Sequence, residues 1–130
     1  MMGEKFYKRM FLIAAIMNVA GGVVIVALTG WIFSIANLNP PDPPAYYYSW
    51  IALFVAFGIG YYMVYRNMYE NKNIVILGTI GKLTFSVIFI CNMIFSWGQI
   101  PWLFIVPVVN DLIFVILFWA FLSHARKIEK

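Results

Sequence analysis

Charge is what this chain has least of. Asp, Glu, Lys and Arg make up 11% of its 130 residues, while 64% are hydrophobic; soluble domains run at about 25% charged and about 45–50% apolar. With a mean hydropathy of +0.87, so short a chain has no water-soluble fold in which to hide its apolar surface. Cysteine is nearly absent too. Cys91 is alone, which excludes an intrachain disulfide and any paired-cysteine redox motif. A single histidine, His124, excludes a His-rich metal site or a bis-His haem within one chain. No catalytic set and no metal ligand set is visible, and no cofactor is expected. The formal charge of +4 sits in short clusters beside apolar runs, where anionic headgroups meet it, so it does not indicate nucleic-acid binding.

What is there is long apolar runs. A helix crossing about 30 Å of hydrocarbon needs about 20 residues, and four runs qualify: Met10 to Ala36, Tyr48 to Tyr65, Ile74 to Trp97 and Trp102 to Leu122. Lipid cannot satisfy a strand edge, so these runs are read as helices. The connections between the spans are short, and the expected fold is all-α: one integral membrane domain over residues 1–130, an up-down-up-down transmembrane four-helix bundle. The first run follows Lys5, Lys8 and Arg9 and ends at Ser34-Ile35-Ala36, in the manner of a signal peptide. Its apolar stretch is far longer than the usual 7–15-residue core, and it is read as a retained span.

The basic residues set an orientation. Lys5, Lys8 and Arg9 precede the first span, Arg66 and Lys72 lie between the second and third, and Arg126, Lys127 and Lys130 follow the fourth; Asn37–Tyr47 and Gly98–Pro101 contain no Lys or Arg. The positive-inside rule then puts both termini in the cytoplasm and opposes dual topology. Pro40, Pro41, Pro43 and Pro44 in the first outer loop predict a stiff polyproline connector. Tyr46, Tyr47, Tyr48 and Trp50, with Trp31, Trp97 and Trp102, predict an outer aromatic belt.

Against this background Lys82 and Asp111 stand out, since both fall inside spans. A charge at the bilayer centre costs roughly 2.5–3.5 kcal/mol on insertion scales, so it persists when paired, hydrated or functional. Helix rise puts Lys82 about 12 Å and Asp111 about 16 Å from the cytoplasmic side, a separation a lysine stem can span. Asn18 falls near the same depth, and Tyr61 and Tyr62 slightly closer to the cytoplasm. These five residues form a candidate polar layer, binding or structural. Gly21, Gly22, Gly58, Gly78 and Ser86 lie at helical spacing from its members, and small residues of this kind allow close helix approach. Secondary candidates are Asn92, Asn110 and His124: Asn92 for a bond across the bundle, Asn110 as the neighbour of Asp111, His124 as an interfacial group. Pro107, one turn before Asp111, is expected to kink the fourth helix. The bland alternative is that Lys82 snorkels to the cytoplasm and that the pair only fixes register.

Phe57-Gly58-Ile59-Gly60-Tyr61-Tyr62, Gly78-Thr79-Ile80-Gly81-Lys82-Leu83 and Asp111-Leu112-Ile113-Phe114 together resemble small bacterial four-span integral membrane proteins of uncharacterised function. The resemblance covers nearly the whole chain. It implies a multi-pass bundle in the bacterial cytoplasmic (inner) membrane and carries no activity with it. Better-known families fit poorly. Small multidrug exporters use a glutamate within the first span, fluoride channels favour dual or inverted arrangements, quinone-linked disulfide-forming enzymes need paired cysteines, and membrane zinc proteases need histidines that are lacking. Three functions stay open: a non-catalytic packing or accessory protein that forms a homo-oligomer or joins a larger membrane complex; a small channel or transporter using Lys82 and Asp111; and a binding site or enzyme for a hydrophobic ligand such as a lipid or quinone. In all three the lipid bilayer is a partner, and nucleic acid in none.

Overall fold

A computed structural model describes residues 3–95 and 100–128. The order is α1 (Glu4–Ala27), α2 (Thr29–Ile35), α3 (Ala45–Arg66), α4 (Lys72–Phe95), a 3-10 turn (Trp102–Phe104) and α5 (Ile105–Ile128). The chain is all-α, with no strand among the described residues. α1, α3, α4 and α5 are each long and apolar enough to cross a bilayer, the composition and element count of a helical bundle. Charges at three of these helices complement the dipole: Glu4 stands in the first turn of α1, Arg66 in the last turn of α3, and Arg126 and Lys127 in the last turn of α5; α4 has none and begins at Lys72. The chain separates into two compact units, Met1–Glu70 and Asn71–Lys130.

In the first unit α1 packs along α3. The buried stripe of α1 is Tyr7, Met10, Phe11, Ala14, Ala15, Asn18 and Gly22, a three-and-four spacing that selects one helix face. On α3 it is Ile51, Gly58, Tyr61 and Val64. The glycines set how near the two axes come. A Cβ on Gly58 would lie 2.8 Å from Asn18 Cβ and from Val19 Cγ2, and 3.0 Å from the Val19 amide nitrogen, and one on Gly22 would collide with Val55 Cγ2. Phe54 and Val55 thus meet Gly21 and Gly22, while Gly58 meets Asn18 and Val19. The partner numbers fall on one helix as they rise on the other, which is the register of an antiparallel pair.

The first apolar run departs from the single span expected between Met10 and Ala36. The helix starts earlier, at Glu4, and stops at Ala27; Leu28 leaves helical geometry at φ −106°, ψ 14°, and α2 follows as a separate helix of 7 residues. At the break the Thr29 hydroxyl donates to the Ile25 carbonyl at 2.8 Å and lies 3.1 Å from the Val26 carbonyl. Gly30 next to it is a poor helix former. α2 ends on Asn37, whose φ of 54° is left-handed. The Asn37 amide donates to the Ser34 carbonyl at 3.1 Å and the Leu38 amide to the Phe33 carbonyl at 3.0 Å, the paired bonds of a Schellman stop.

The proline loop is expected to be extended throughout, but its last residue is not: Pro44 has φ −69°, ψ −13°, the right-handed helical region, as the N-cap of α3. A proline ring is preset for that backbone angle and has no amide to leave unsatisfied at a helix start. Of the expected aromatic belt, Tyr47 is the hub: its ring lies 5.4 Å from Phe33, 5.5 Å from Tyr48 and 6.3 Å from Trp50, and its hydroxyl is 3.5 Å from that of Thr29. Trp31 and Tyr46 are exposed. Trp97, Gly98 and Gln99, with the end of the third span, and Lys130 lie outside the described residues, as does the side chain of Trp102.

In the second unit α4 packs along α5. The buried residues of α4 are Val75, Gly78, Lys82 and Ser86; those of α5 are Val108, Phe114, Phe118, Phe121 and Ala125. Asp111 stands between Val108 and Phe114 at helical spacing, on the same stripe. Two contacts establish an antiparallel register: Lys82 with Asp111, and Phe89 with Phe104, whose ring centroids are 5.8 Å apart. Seven residues forward along α4 match seven backward along the chain from Asp111, into the 3-10 turn before α5. The kink expected at Pro107 does not arise, because α5 begins at Ile105. Pro107 sits in the first turn, where amides have no intrahelical partner to lose.

Candidate functional site

The five residues of the candidate layer divide between the units: Asn18, Tyr61 and Tyr62 in the first, Lys82 and Asp111 in the second. Lys82 projects from the buried face of α4 and is 6% exposed. Its ammonium donates to Asp111 Oδ1 at 2.5 Å and stands 5.4 Å from the centre of the Phe114 ring. A cation facing an aromatic ring gains roughly 0.5–2 kcal/mol, more as water is excluded. Phe114 follows Asp111 by three residues on α5, so one helix face supplies both the carboxylate and the ring. Phe114 was absent from the sequence candidates; its place three residues after an in-span acid was the only signal available. The Asp111 side chain is 14% exposed. The arrangement brings the Lys82 ammonium and the Asp111 carboxylate together beside an aromatic wall. It can clamp two helices.

Asn18 is buried, and its Nδ2 donates to the Phe54 carbonyl at 3.0 Å. That bond crosses from α1 to α3 where the Gly58 contact draws the helices together. Tyr61 is buried on α3, its ring 6.2 Å from that of Phe57. Tyr62 is on the outside, 46% exposed, with its ring 5.8 Å from Tyr65. Adjacent helical residues point about 100° apart, so burial of Tyr61 turns Tyr62 away.

The secondary candidates play local parts. Asn92 is exposed and its Nδ2 donates to the Ile88 carbonyl of its own helix at 3.0 Å, in place of the expected bond across the bundle. Asn110 is half-buried, beside Asp111 but off its face. His124 is half-buried in the last turns of α5. Among the described residues no group of three His, Cys, Asp or Glu is placed to hold a metal ion.

At the basic end of the first unit, Lys8 lies 5.6 Å over the ring of Tyr65. In the connection after α3, burial pushes the Tyr69 phenol above its ordinary pKa, and the nearby Glu4 carboxylate adds to the effect. Both observations join the start of α1 to the end of α3, so the lysines and arginines of these two termini share one end of the unit.

Comparison of the chain with protein-family models, with curated proteins and with solved structures gives no match. Four helices long and apolar enough to cross a bilayer, joined by brief connections, make this chain a small multi-pass membrane protein.

Proposed function

We propose that the protein is a non-catalytic packing or accessory component of a bacterial inner membrane, with both termini cytoplasmic, and that Lys82 and Asp111 form an intramembrane ion pair that fixes the register of the α4–α5 hairpin. The observation that carries this reading is the closure of the pair: Asp111 Oδ1 is occupied by the ammonium at 2.5 Å, and the Phe114 ring stands over the cation. Each charge is turned to the other, and the two side chains are only 7% and 14% exposed. The outward surface supports the same reading. Trp119, Ile116, Phe95 and Ile94 are each more than half exposed, as suits helices that meet lipid, a second copy of the chain or a larger membrane complex.

The test combines exchange and flux. Lys82→Asp and Asp111→Lys are made singly and together, and thermal unfolding is followed in detergent micelles. Each single variant places two like charges in the seam and is expected to lower the midpoint sharply, and the exchanged pair to recover much of it. Wild type and Asp111→Asn are then reconstituted into liposomes and assayed with a panel of ions and with protons. Equal, negligible flux is expected from both. Flux in the wild type that Asp111→Asn abolishes would establish a channel or transporter and overturn the proposal.

A further inference from the structure

We propose that Ser86, together with the second carboxylate oxygen of Asp111, holds a water molecule in the α4–α5 seam, one helical turn from the Lys82 ion pair. Ser86 is completely buried and its Oγ makes no hydrogen bond among the described residues. A buried hydroxyl without a partner is unfavourable. A helix offers it an easy remedy, rotation onto the carbonyl four residues earlier. Other polar side chains of this protein take that remedy: Thr29 bonds the Ile25 carbonyl at 2.8 Å, Thr79 the Val75 carbonyl at 2.7 Å and Asn92 the Ile88 carbonyl at 3.0 Å. Ser86 does not, so its hydroxyl is turned away from its own helix backbone and into the seam.

The direction of that turn follows from helix geometry. Cα–Cβ bonds lean toward the N-terminus of their helix. On α4 this tilts Ser86 toward the turn that carries Lys82. On α5, which runs the opposite way, it tilts Asp111 toward Pro107 and Val108, the level the register sets opposite Ser86. The two side chains therefore converge. Asp111 uses Oδ1 for the ammonium, and Oδ2 accepts no hydrogen bond among the described residues.

The chemistry of the place selects the ligand. An anion would meet the carboxylate and a metal ion the ammonium, while the pair itself is neutral. The ligand must donate to Asp111 Oδ2, exchange a hydrogen bond with Ser86 Oγ, and fit a helix seam. Water meets all of these demands, and a buried water usually has two to four polar partners of this kind. The inference rests on the closed ion pair of the proposed function and deepens it: the clamp is a hydrated one.

The test reads water directly. The full-length protein is labelled with 15N-lysine and with protonated serine in a deuterated background and placed in lipid nanodiscs. Magnetisation transfer from water is measured at the Ser86 β-protons and at the Lys82 ammonium. The proposal expects a water cross-peak at Ser86 in the wild type, loss of most of the Lys82 water cross-peak in Ser86→Ala, and its retention in Ser86→Thr. Absence of the cross-peak at Ser86 in the wild type, which requires no variant, would overturn it. So would an undiminished Lys82 cross-peak in Ser86→Ala. Asp111→Asn separates the two levels of failure. If the Lys82 Nζ shift moves in that variant while Ser86 shows no water, the pair stands and the water does not; if the shift stays fixed, the pair itself is refuted.

Discussion

At the scale of single residues, the protein concentrates its polarity on side chains that bond across helix seams. Lys82 and Asp111 do so as charges, Asn18 as a neutral amide. Removing one partner of a buried pair leaves an uncompensated charge and costs about 3–5 kcal/mol, whereas replacing both by apolar groups of similar size is often neutral or stabilising. Lys82→Met and Asp111→Leu are therefore each expected to destabilise strongly, and the double variant to regain most of the loss, as read by unfolding midpoints in a common detergent. Asn18→Leu removes the bond to the Phe54 carbonyl and adds bulk where Gly58 approaches; interhelical hydrogen bonds in membranes average about 0.6 kcal/mol, so most of its penalty will come from crowding. Asn18→Ala is the control, with a loss near that bond value. Lys82 and Asp111 were legible in the sequence because any charge within a span is conspicuous. Ser86 and Phe114 were not conspicuous, since serine and phenylalanine are ordinary residues of membrane helices and only their neighbours give them a part. Tyr62 was legible as polar, but its outward direction depended on which face of α3 meets α1.

At the scale of elements, glycines set the α1–α3 seam, and local hydrogen bonds mark the end of α2. Gly58 and Gly21 offer a contrast within one helix pair. A methyl group on Gly58 meets the Val19 backbone nitrogen at 3.0 Å, which cannot yield, while one on Gly21 finds only the Phe54 ring at 3.7 Å. Gly58→Ala is expected to cost about 1–3 kcal/mol, the usual range for overpacking, and Gly21→Ala to be close to neutral by the same unfolding assay. Asn37 ends α2 with a left-handed backbone. Asn37→Gly should be tolerated, while Asn37→Val should cost about 1–2 kcal/mol for the left-handed geometry, seen as a lower midpoint. The lengths and apolar character of the long helices could be read from composition. The break at Leu28 could not, because every residue from Met10 to Trp31 except Asn18, Gly21, Gly22, Thr29 and Gly30 is apolar. At the break one threonine hydroxyl bonds the carbonyls of the preceding turn, and the glycine after it is a poor helix former. Pro107 is the converse case: conspicuous as a kink signal, it is harmless because the helix starts two residues before it.

At the scale of the whole molecule, the distribution of basic residues makes one further prediction. Lys5, Lys8, Arg9, Arg66, Lys72, Arg126 and Lys127 all flank the same alternate ends of the four long helices. The positive-inside rule then predicts that a reporter that works only in the cytoplasm is active at either terminus, and that a cysteine placed in the loop of residues 38–41 reacts with an impermeant thiol reagent from outside while one at Asn71 does not. Labelling of both positions from one side would contradict this orientation. The bilayer itself is the dominant solvent for the exposed faces, so their leucines, isoleucines and valines need no partner within the chain.

Composition and hydropathy alone set the solvent, the helical class, the number of long helices and the asymmetry of charge. These depend on sums over many residues, and in lipid an apolar run of this length has one way to satisfy its backbone. Which polar groups meet is a matter of tertiary packing: Lys82 with Asp111 and Phe114, Asn18 with the Phe54 carbonyl, and Ser86 buried one turn from Lys82 on α4 with no bond to its own helix. Those contacts depend on helix rotation and register, and a nearly uniform apolar sequence carries little information about either until glycines and side-chain volumes lock one helix against another.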